Sequence, residues 1–316
     1  MSGVEHYRGS DGGIAWEYYT REAPAHLAPF VREMNGYTEA TPGLLQRREF
    51  AGGRVVLIFE FGPPLRVFGG ELDGAHSHTG ARRFARGFVA GIDQAFTLTE
   101  HDGYQCGMQI NFTPTGARLF FGLPMSELSG RVIPFEDLAP DPELKHLAER
   151  LYDLGDWTAR FALLQQVLSH RLVGSSEWKS DAGFAAIDWA CGEIERRGGR
   201  VAAAEIAEEL GFSRKHLAHL FRRHAGLSPG ALGRVVRFQR LLEYLRSAGD
   251  SRESMQAGTG AADEAMRENW ADLAARFGYY DQSHLIREVK SFAGRTPGRL
   301  HEVLNPVHGE SARQRS

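Results

Sequence analysis

Residues 211–240 carry seven arginines and lysines and no acid, in a chain whose net charge is −3. Such a run suits hydrogen-bond donation to anions: a guanidinium fork grips phosphate oxygens and, aimed at a base edge, matches guanine. Leu217, Leu220 and Phe221 recur through the run at helical spacing. If those three face inward, Lys215, Ala218, His219 and Arg222 face outward. Lys215 and His219 can then donate to base edges, while Arg214, Arg222 and Arg223 suit phosphate contacts. A solvated helix face would carry the same charges, so the reading depends on the elements that position them.

Residues 203–210 (AAEIAEEL) form a helical pattern, Gly211 permits a left-handed turn, and Ser213 caps a second helix. A Gly-x-Ser-Pro stop at 226–229 launches a third. Ile206, Leu210, Leu217, Leu220 and Phe221 supply a compact core at helical spacing. This helix-turn-helix is written twice. Leu217 is followed by Phe221, Gly226, Ser228 and Pro229 at offsets of 4, 9, 11 and 12, and Leu285 by Val289, Gly294, Thr296 and Pro297 at the same offsets. Gly211 lies 6 residues before its leucine and Gly278 lies 7 before its own. One helix-turn-helix pattern arises easily by chance, whereas two copies agreeing at four downstream positions do not. Between them, Pro229 to about Arg246 reads as one long helix that sets their separation.

Residues 181–306 resemble the DNA-binding domain of the AraC/XylS family of bacterial transcription regulators. The likeness is carried by the first copy, by GRVVRFQRLL of the linking helix, and by GYYDQSHLIREVKSFAGRTP of the second copy. It implies two units entering successive major-groove segments on one face of double-stranded DNA, with RNA polymerase as a further partner. It also implies a homodimer and an N-terminal domain that senses a small-molecule effector or only dimerises. It marks Gln282, Ser283 and Arg287 as base-facing, where Gln suits adenine and Arg guanine. Ser213 and Asp281, at the starts of the two recognition helices, join the DNA-binding set, with Lys290 and the Thr296 region on the backbone. FVAGI and NFTPTGARLFFG resemble the sensory part of some uncharacterised members. The chain departs from the family pattern in two places. Val289 stands where the family usually has Phe. Residues 247–265 are an insertion rich in Gly, Ser, Ala and acid, which reads as a flexible surface loop. Closure entropy grows only logarithmically with loop length, so the core arrangement is expected to survive it.

Upstream, short aromatic and β-branched runs at 14–19, 44–50, 55–61, 65–68, 88–92, 95–99 and 104–112 read as strands, and Gly52-Gly53 is a hairpin signal between two of them. A short helix is expected after Pro114. Asp141 and Asp156 cap two helices, over about 141–172, whose leucine stripes either pack on the strands or form a dimer seam. The expected fold is α+β and multidomain. An N-terminal β-rich barrel or sandwich, with that helical hairpin, occupies 1–173. An all-α domain of two helix-turn-helix units joined by a long helix occupies 181–306. Residues 174–176 read as the linker and 307–316 as a disordered tail.

Most of the N-terminal aromatics read as core; Trp16 and Tyr18, on one face of an early strand, are the best candidates for an effector pocket. His76 and His78, with Glu71 and Asp73 nearby, form either a metal pair or a solvated glycine-rich loop, and no third ligand stands at a fixed spacing. No metal or cofactor is expected. Cys106 and Cys191 are the only cysteines and fit neither a disulfide framework nor a zinc site. They also exclude the zinc-bearing DNA-alkyl-transfer repair domain to which this DNA-binding domain is sometimes fused. No phosphate-binding loop, nucleophile elbow or zinc-protease pattern occurs, and Glu100, His101 and Asp102 read as a turn. Enzymatic activity is therefore not expected. No apolar run of membrane-spanning length and no signal pattern occurs, so the expected setting is cytoplasmic, without a membrane partner.

Overall fold

The computed structural model describes residues 3–68, 81–138, 142–174, 181–255 and 269–302. The N-terminal strands are β1 (Glu5–Asp11), β2 (Ile14–Thr20), β3 (Val31–Glu49), β4 (Val55–Glu60), β5 (Leu65–Phe68), β6 (Arg82–Phe84), β7 (Gly87–Ala90), β8 (Thr97–Phe112) and β9 (Val132–Pro134). They form one antiparallel sheet in the order β1-β2-β3-β8-β4-β7-β9, with β5 paired to β8 and β6 off that path. β8 is the spine. It pairs with β3 from Phe112 to Thr97 on one edge, and with β4 and then β5 on the other.

That topology corrects two expectations. Gly52-Gly53 makes no hairpin, because β8 lies between the strands on either side of it. The Gly53 N–H instead donates to Gln239 Oε1 at 3.2 Å, and Gly52 faces the same side chain. Glu100, His101 and Asp102 are not a turn but the middle of β8. Glu100 and His101 stay in the ladder because each has a cross-strand polar partner: Arg66 Nη2 lies 2.6 Å from Glu100, and His101 Nε2 lies 2.8 Å from Glu39. The opposing irregularity falls at Ala40/Leu44 of β3, around Pro42, where a missing N–H is tolerated.

Helix α1 (Pro114–Phe121) begins where Thr113 Oγ1 accepts the Gly116 N–H at 3.0 Å and proline takes the first helical position. Its Phe120 and Phe121 pack on Phe112 of β8, with ring centroids 5.0 and 6.0 Å away. A short helix α2 (Phe135–Leu138) puts Phe135 against Phe59, 5.0 Å away. Helices α3 (Pro142–Asp153) and α4 (Trp157–Gly174) are the expected hairpin, α4 capped by Asp156 through the Thr158 and Ala159 N–H groups. Their Leu144, Leu147, Leu151, Phe161, Leu164, Leu168 and Leu172 are all buried in the core shared with the sheet. The stripe is thus consumed inside the chain, and the dimer-seam reading of it falls away.

The C-terminal helices are α5 (Ala182–Arg196), α6 (Ala203–Glu209), α7 (Arg214–Ala225), α8 (Pro229–Met255), α9 (Trp270–Phe277) and α10 (Gln282–Ala293). Helix α8 outruns the expected end near Arg246 and takes in the first part of the 247–265 stretch; residues 256–268 lie outside the described residues, as do 69–80, with His76 and His78, and the tail. The first helix-turn-helix, α6–α7, has its own core of Ile187, Ile194, Ile206, Leu217, Phe221, Leu232 and Val236. The second, α9–α10, belongs to the same apolar cluster as the sheet. Phe238 of α8 is the bridge. It meets Phe50, after β3, at 6.2 Å and Phe292 of α10 at 5.0 Å. Polar ties reinforce the junction: Arg54 Nη1 to Glu195 at 2.5 Å, Thr115 Oγ1 to Asp188 at 2.5 Å, and Arg48 Nη1 to the Ala293 carbonyl at 2.9 Å. Phe238→Ala is expected to cost about 3–5 kcal/mol, as for any fully buried phenylalanine. Urea denaturation checks it, and a loss below about 1 kcal/mol would show that the bridge is not tightly packed.

Candidate nucleic-acid interface and the inner face of the cup

Each recognition helix is built from the same three local devices. In the first unit Gly211, at φ 67°, makes the turn; Ser213 Oγ accepts the His216 N–H at 3.2 Å; and Gly226 ends α7 in the left-handed region. In the second, Gly278, at φ 76°, makes the turn; Asp281 Oδ1 accepts the His284 N–H at 2.6 Å; and Gly294 ends α10. Ser213 and Asp281 are therefore capping residues: their acceptors are engaged by the helices they start.

The remaining expected residues fall where helical phase puts them. Arg214, Lys215, His219, Arg222 and Arg223 are exposed on α7, and Ala218 is half-buried beneath them. Gln282, Ser283, Arg287 and Lys290 are exposed on α10. Leu217, Leu220 and Phe221, and Leu285 and Val289, are buried behind them. The first unit thus offers a dense cationic face, and the second a mixed donor and acceptor face. Helical periodicity did not single out Tyr280, 92% exposed in the second turn. Nor did it find the ion cluster behind Arg287. Glu288, only 3% exposed, takes Arg234 Nε at 2.5 Å and His284 Nε2 at 3.3 Å on Oε1, with Arg237 Nη2 at 3.8 Å. Arg234 and Arg237 come from α8, and pairing across elements leaves no trace in local spacing.

The N-terminal sheet curls into a cup whose inner face follows from register. Trp16 lies opposite Glu39, Tyr18 opposite Tyr37, Glu39 opposite Gln105, and Glu60 opposite Gly107. Trp16 and Tyr18 therefore share a face with Tyr37, Glu39, Glu60 and Gln105. This wall is polar and buried. Gly107 is open enough for the Tyr37 ring to cross it, a Cβ there lying 2.7 Å from the hydroxyl. The Tyr37 hydroxyl donates to Glu60 Oε1 at 3.1 Å and Gln105 Nε2 donates to the same oxygen at 3.4 Å, while Glu60 Oε2 has no partner among the described residues. Burial pushes the Glu60 carboxyl up to about 8, against the two hydrogen bonds that pull it down. Burial, followed by Glu60 itself, also holds the Tyr37 phenol well above its ordinary value. Beside them Arg47 grips both oxygens of Glu39, and His101 bonds the same carboxylate.

Two residues along β4 from Glu60 the same face turns apolar, with Leu65, Val67, Phe84 and Phe88 buried together against Ile58, Ala90 and Val132. A cavity of about 250 Å³ opens there, lined by Val67, Phe84, Ala90 and Val132, and by Arg82, Arg131, Asp93 and Thr97. Trp16 and Tyr18 do not line it. Among the described residues no group of three or more His, Cys, Asp and Glu could hold a metal, and no helix is long and apolar enough to cross a membrane.

A family described as "Domain of unknown function (DUF6597)" matches residues 19–134, from the end of β2 through β9. No curated protein matches the chain. Among solved structures it is similar to the crystal structure of ToxT from Vibrio cholerae O395, at 13% identity and TM-score 0.41 over 84% of this chain and 98% of that one. It is similar also to unsaturated fatty acid bound wild-type ToxT from Vibrio cholerae strain SCE256, at 12% identity and TM-score 0.40, over 86% and 99%. A third, GK1651 from Geobacillus kaustophilus, has 12% identity and TM-score 0.25, over 43% of this chain and 51% of that one.

Glu60 generates a pH prediction. Its folded value near 8 exceeds the ordinary 4.5, so the fold binds this proton more tightly than the unfolded chain does. The associated stability is complete below about pH 4.5 and is lost as pH rises through about 8. Urea denaturation at pH 6 and pH 9 should show Glu60→Gln gaining on the wild type at the higher pH, by on the order of 3 kcal/mol. Parallel profiles for the two proteins would remove Glu60 as the source.

Proposed function

We propose that this chain is a sequence-specific, double-stranded-DNA-binding transcription regulator of the AraC/XylS type, whose N-terminal cup takes a small-molecule effector. The observation that carries the reading is the pair of recognition helices. Each is capped and stopped in the same way, each presents exposed donors at the expected helical phase, and both are held by one helix, α8. Arg214, Lys215, His219, Arg222 and Arg223 supply phosphate contacts with some base contact, and Gln282, Ser283 and Arg287 read base edges, with Lys290 on the backbone. Resemblance to the family extends the proposal to a homodimer that contacts RNA polymerase. No enzymatic step is assigned.

The effector seat is the cavity of about 250 Å³, whose apolar walls and two arginines suit a small apolar acid. Thermal shift against a panel of such acids tests that part. A ligand of the cup raises the melting temperature in proportion to the logarithm of its concentration. No shift with any of them would leave the cup as a dimerisation or protein-partner module.

Selection of bound duplexes from a random pool tests the DNA reading. The expected motif has two half-sites about one helical turn, roughly 10 bp, apart. Arg287→Ala should cost about 1–3 kcal/mol on the selected site and relax preference at one position, while binding of the wild type falls steeply with salt. An unchanged base preference would remove Arg287 from the reading set.

A further inference from the structure

Between the two units lies an open groove of about 470 Å³. One side is the stretch Val201, Ala202 and Ala203 that leads into α6; the other is α10, with His284, Arg287 and Glu288; the floor is α8, with Gly230, Arg234 and Arg237. Three guanidinium groups therefore face one carboxylate. That carboxylate is already committed: Arg234, Arg237 and His284 converge on its Oε1, as described. The His284 proton is fixed by its neighbours, because the Tyr280 N–H donates to Nδ1 at 3.3 Å and leaves Nε2 to donate to Glu288. Glu288 is thus a positioning residue that holds the cations in place, and the groove keeps a net positive charge.

The cations also have donors to spare. Arg234, with 40% of its side chain exposed, spends Nε on Glu288 and Nη1 on Gln94 Oε1 at 3.4 Å, so Nη2 has no partner among the described residues. Arg237 spends Nη1 on the Gly199 carbonyl at 2.7 Å and is held at the floor. Arg287 is exposed at the rim, and no partner for it stands among the described residues. A planar guanidinium with unspent donors, fixed by its other hydrogen bonds, is preorganised for phosphate.

We propose that this groove holds a backbone phosphate of the DNA segment that passes between the two half-sites, with Arg234 as the contacting residue and Arg237 as the buried charge beneath it. The inference rests on the DNA-binding reading above. It follows from placement: Arg287, on the base-reading helix, forms the rim, and the first helix of a helix-turn-helix, here α6, crosses the backbone. Such a contact carries no sequence information. It would fix how the duplex lies across both units at once.

The test adds negative charge without damaging the fold. Ala202 is the exposed N-cap of α6 and provides no side-chain acceptor, so Ala202→Asp supplies a cap and puts a carboxylate at the rim. Gly230 sits in the first turn of α8 with open space around its Cα, so Gly230→Asp introduces no clash and favours the helix start. Ala202→Ser caps without charge and serves as the control. Dissociation constants would be measured against salt on a selected duplex and on a scrambled one. Both Asp variants are expected to weaken the two duplexes by a similar factor, roughly tenfold, with the salt slope shallower by about one and melting temperatures no lower than wild type. Ala202→Ser should melt no lower than the wild type, which separates the effect of the cap on the fold from that of the charge. Asp variants that bind both duplexes with wild-type affinity and slope overturn the groove site and leave the DNA reading standing. Loss confined to the selected duplex also overturns it, since that is base readout. A wild-type protein that binds neither duplex overturns both readings together.

Discussion

The arrangement of the whole chain depends on one buried ring. Phe238, near the middle of α8, lies between Phe50, where the sheet hands the chain on to β4, and Phe292, on the inner face of the second recognition helix. All three contribute to one apolar cluster that runs without interruption from the sheet, through the α3–α4 hairpin, to Leu285 and Val289. Burying a phenylalanine of this kind is worth about 1.5–3 kcal/mol, and the position of the second unit depends on it. A helix that merely joined two readers would need only a solvated outer face. This one is buried at Leu232, Val235, Phe238, Leu241 and Leu242, because it is also the element on which the sheet docks.

One short stretch of backbone joins the wall of the cavity to the readers. Gly91, Asp93 and Thr97 wall the cavity. Between them, Gln94 accepts from Arg234 of α8, and the Phe96 ring sits against Gly294 at the end of the second recognition helix, beneath the Arg48 guanidinium 3.9 Å from its centroid. Arg48 in turn donates to the Ala293 carbonyl, one of the orphan acceptors that every helix C-terminus leaves. A molecule that shifted Asp93 or Thr97 would have to shift Gln94 and Phe96 with them. A ligand changes an equilibrium only through contacts that differ between its states, and here those contacts lie a few residues from the cavity wall.

The helical half was readable because its signals are local. Gly211, Ser213, Gly226 and the repeated offsets from Leu217 and Leu285 each report backbone geometry within one turn, and all reappear in the fold. The strands at 14–19, 55–61 and 65–68 were readable for the same reason. What escaped was long-range. β1 is EHYRGSD, without an apolar alternation, and it is a strand because β2 pairs with it. The middle of β3 reads NGYTEATPG, which looks like a turn until its pairing with β8 is known. Glu100 and His101 look like loop residues, because the Arg66 and Glu39 that pair with them are supplied by other strands. Of the site, the exposed faces of both recognition helices were legible. The cation cluster on Glu288 and the buried Glu60 wall were not, since the first is assembled from two helices and the second from three strands distant in sequence.

The two units are alike in local construction and unlike in support, and Val289 shows why. The first unit closes its own core, with Phe221 buried between Ile206 and Leu217 of the same helix pair and capped by α5. The second has Val289 at the equivalent place, a side chain too small to do the same work as Phe221. The missing volume is made up from outside the unit: Phe292 and Phe238 stack 5.0 Å apart, and Phe96 closes on Gly294 so tightly that a Cβ there would meet its ring at 2.3 Å. The first reader closes its own core and also leans on the N-terminal domain, where a Cβ on Gly226 would meet the Met125 carbonyl at 3.0 Å. The second packs on α8 through Phe238 and on the N-terminal domain through Phe96. The unit with fewer charges and more varied donors thus completes its packing with rings from beyond its own helix pair, whereas the densely cationic unit closes an apolar core of its own.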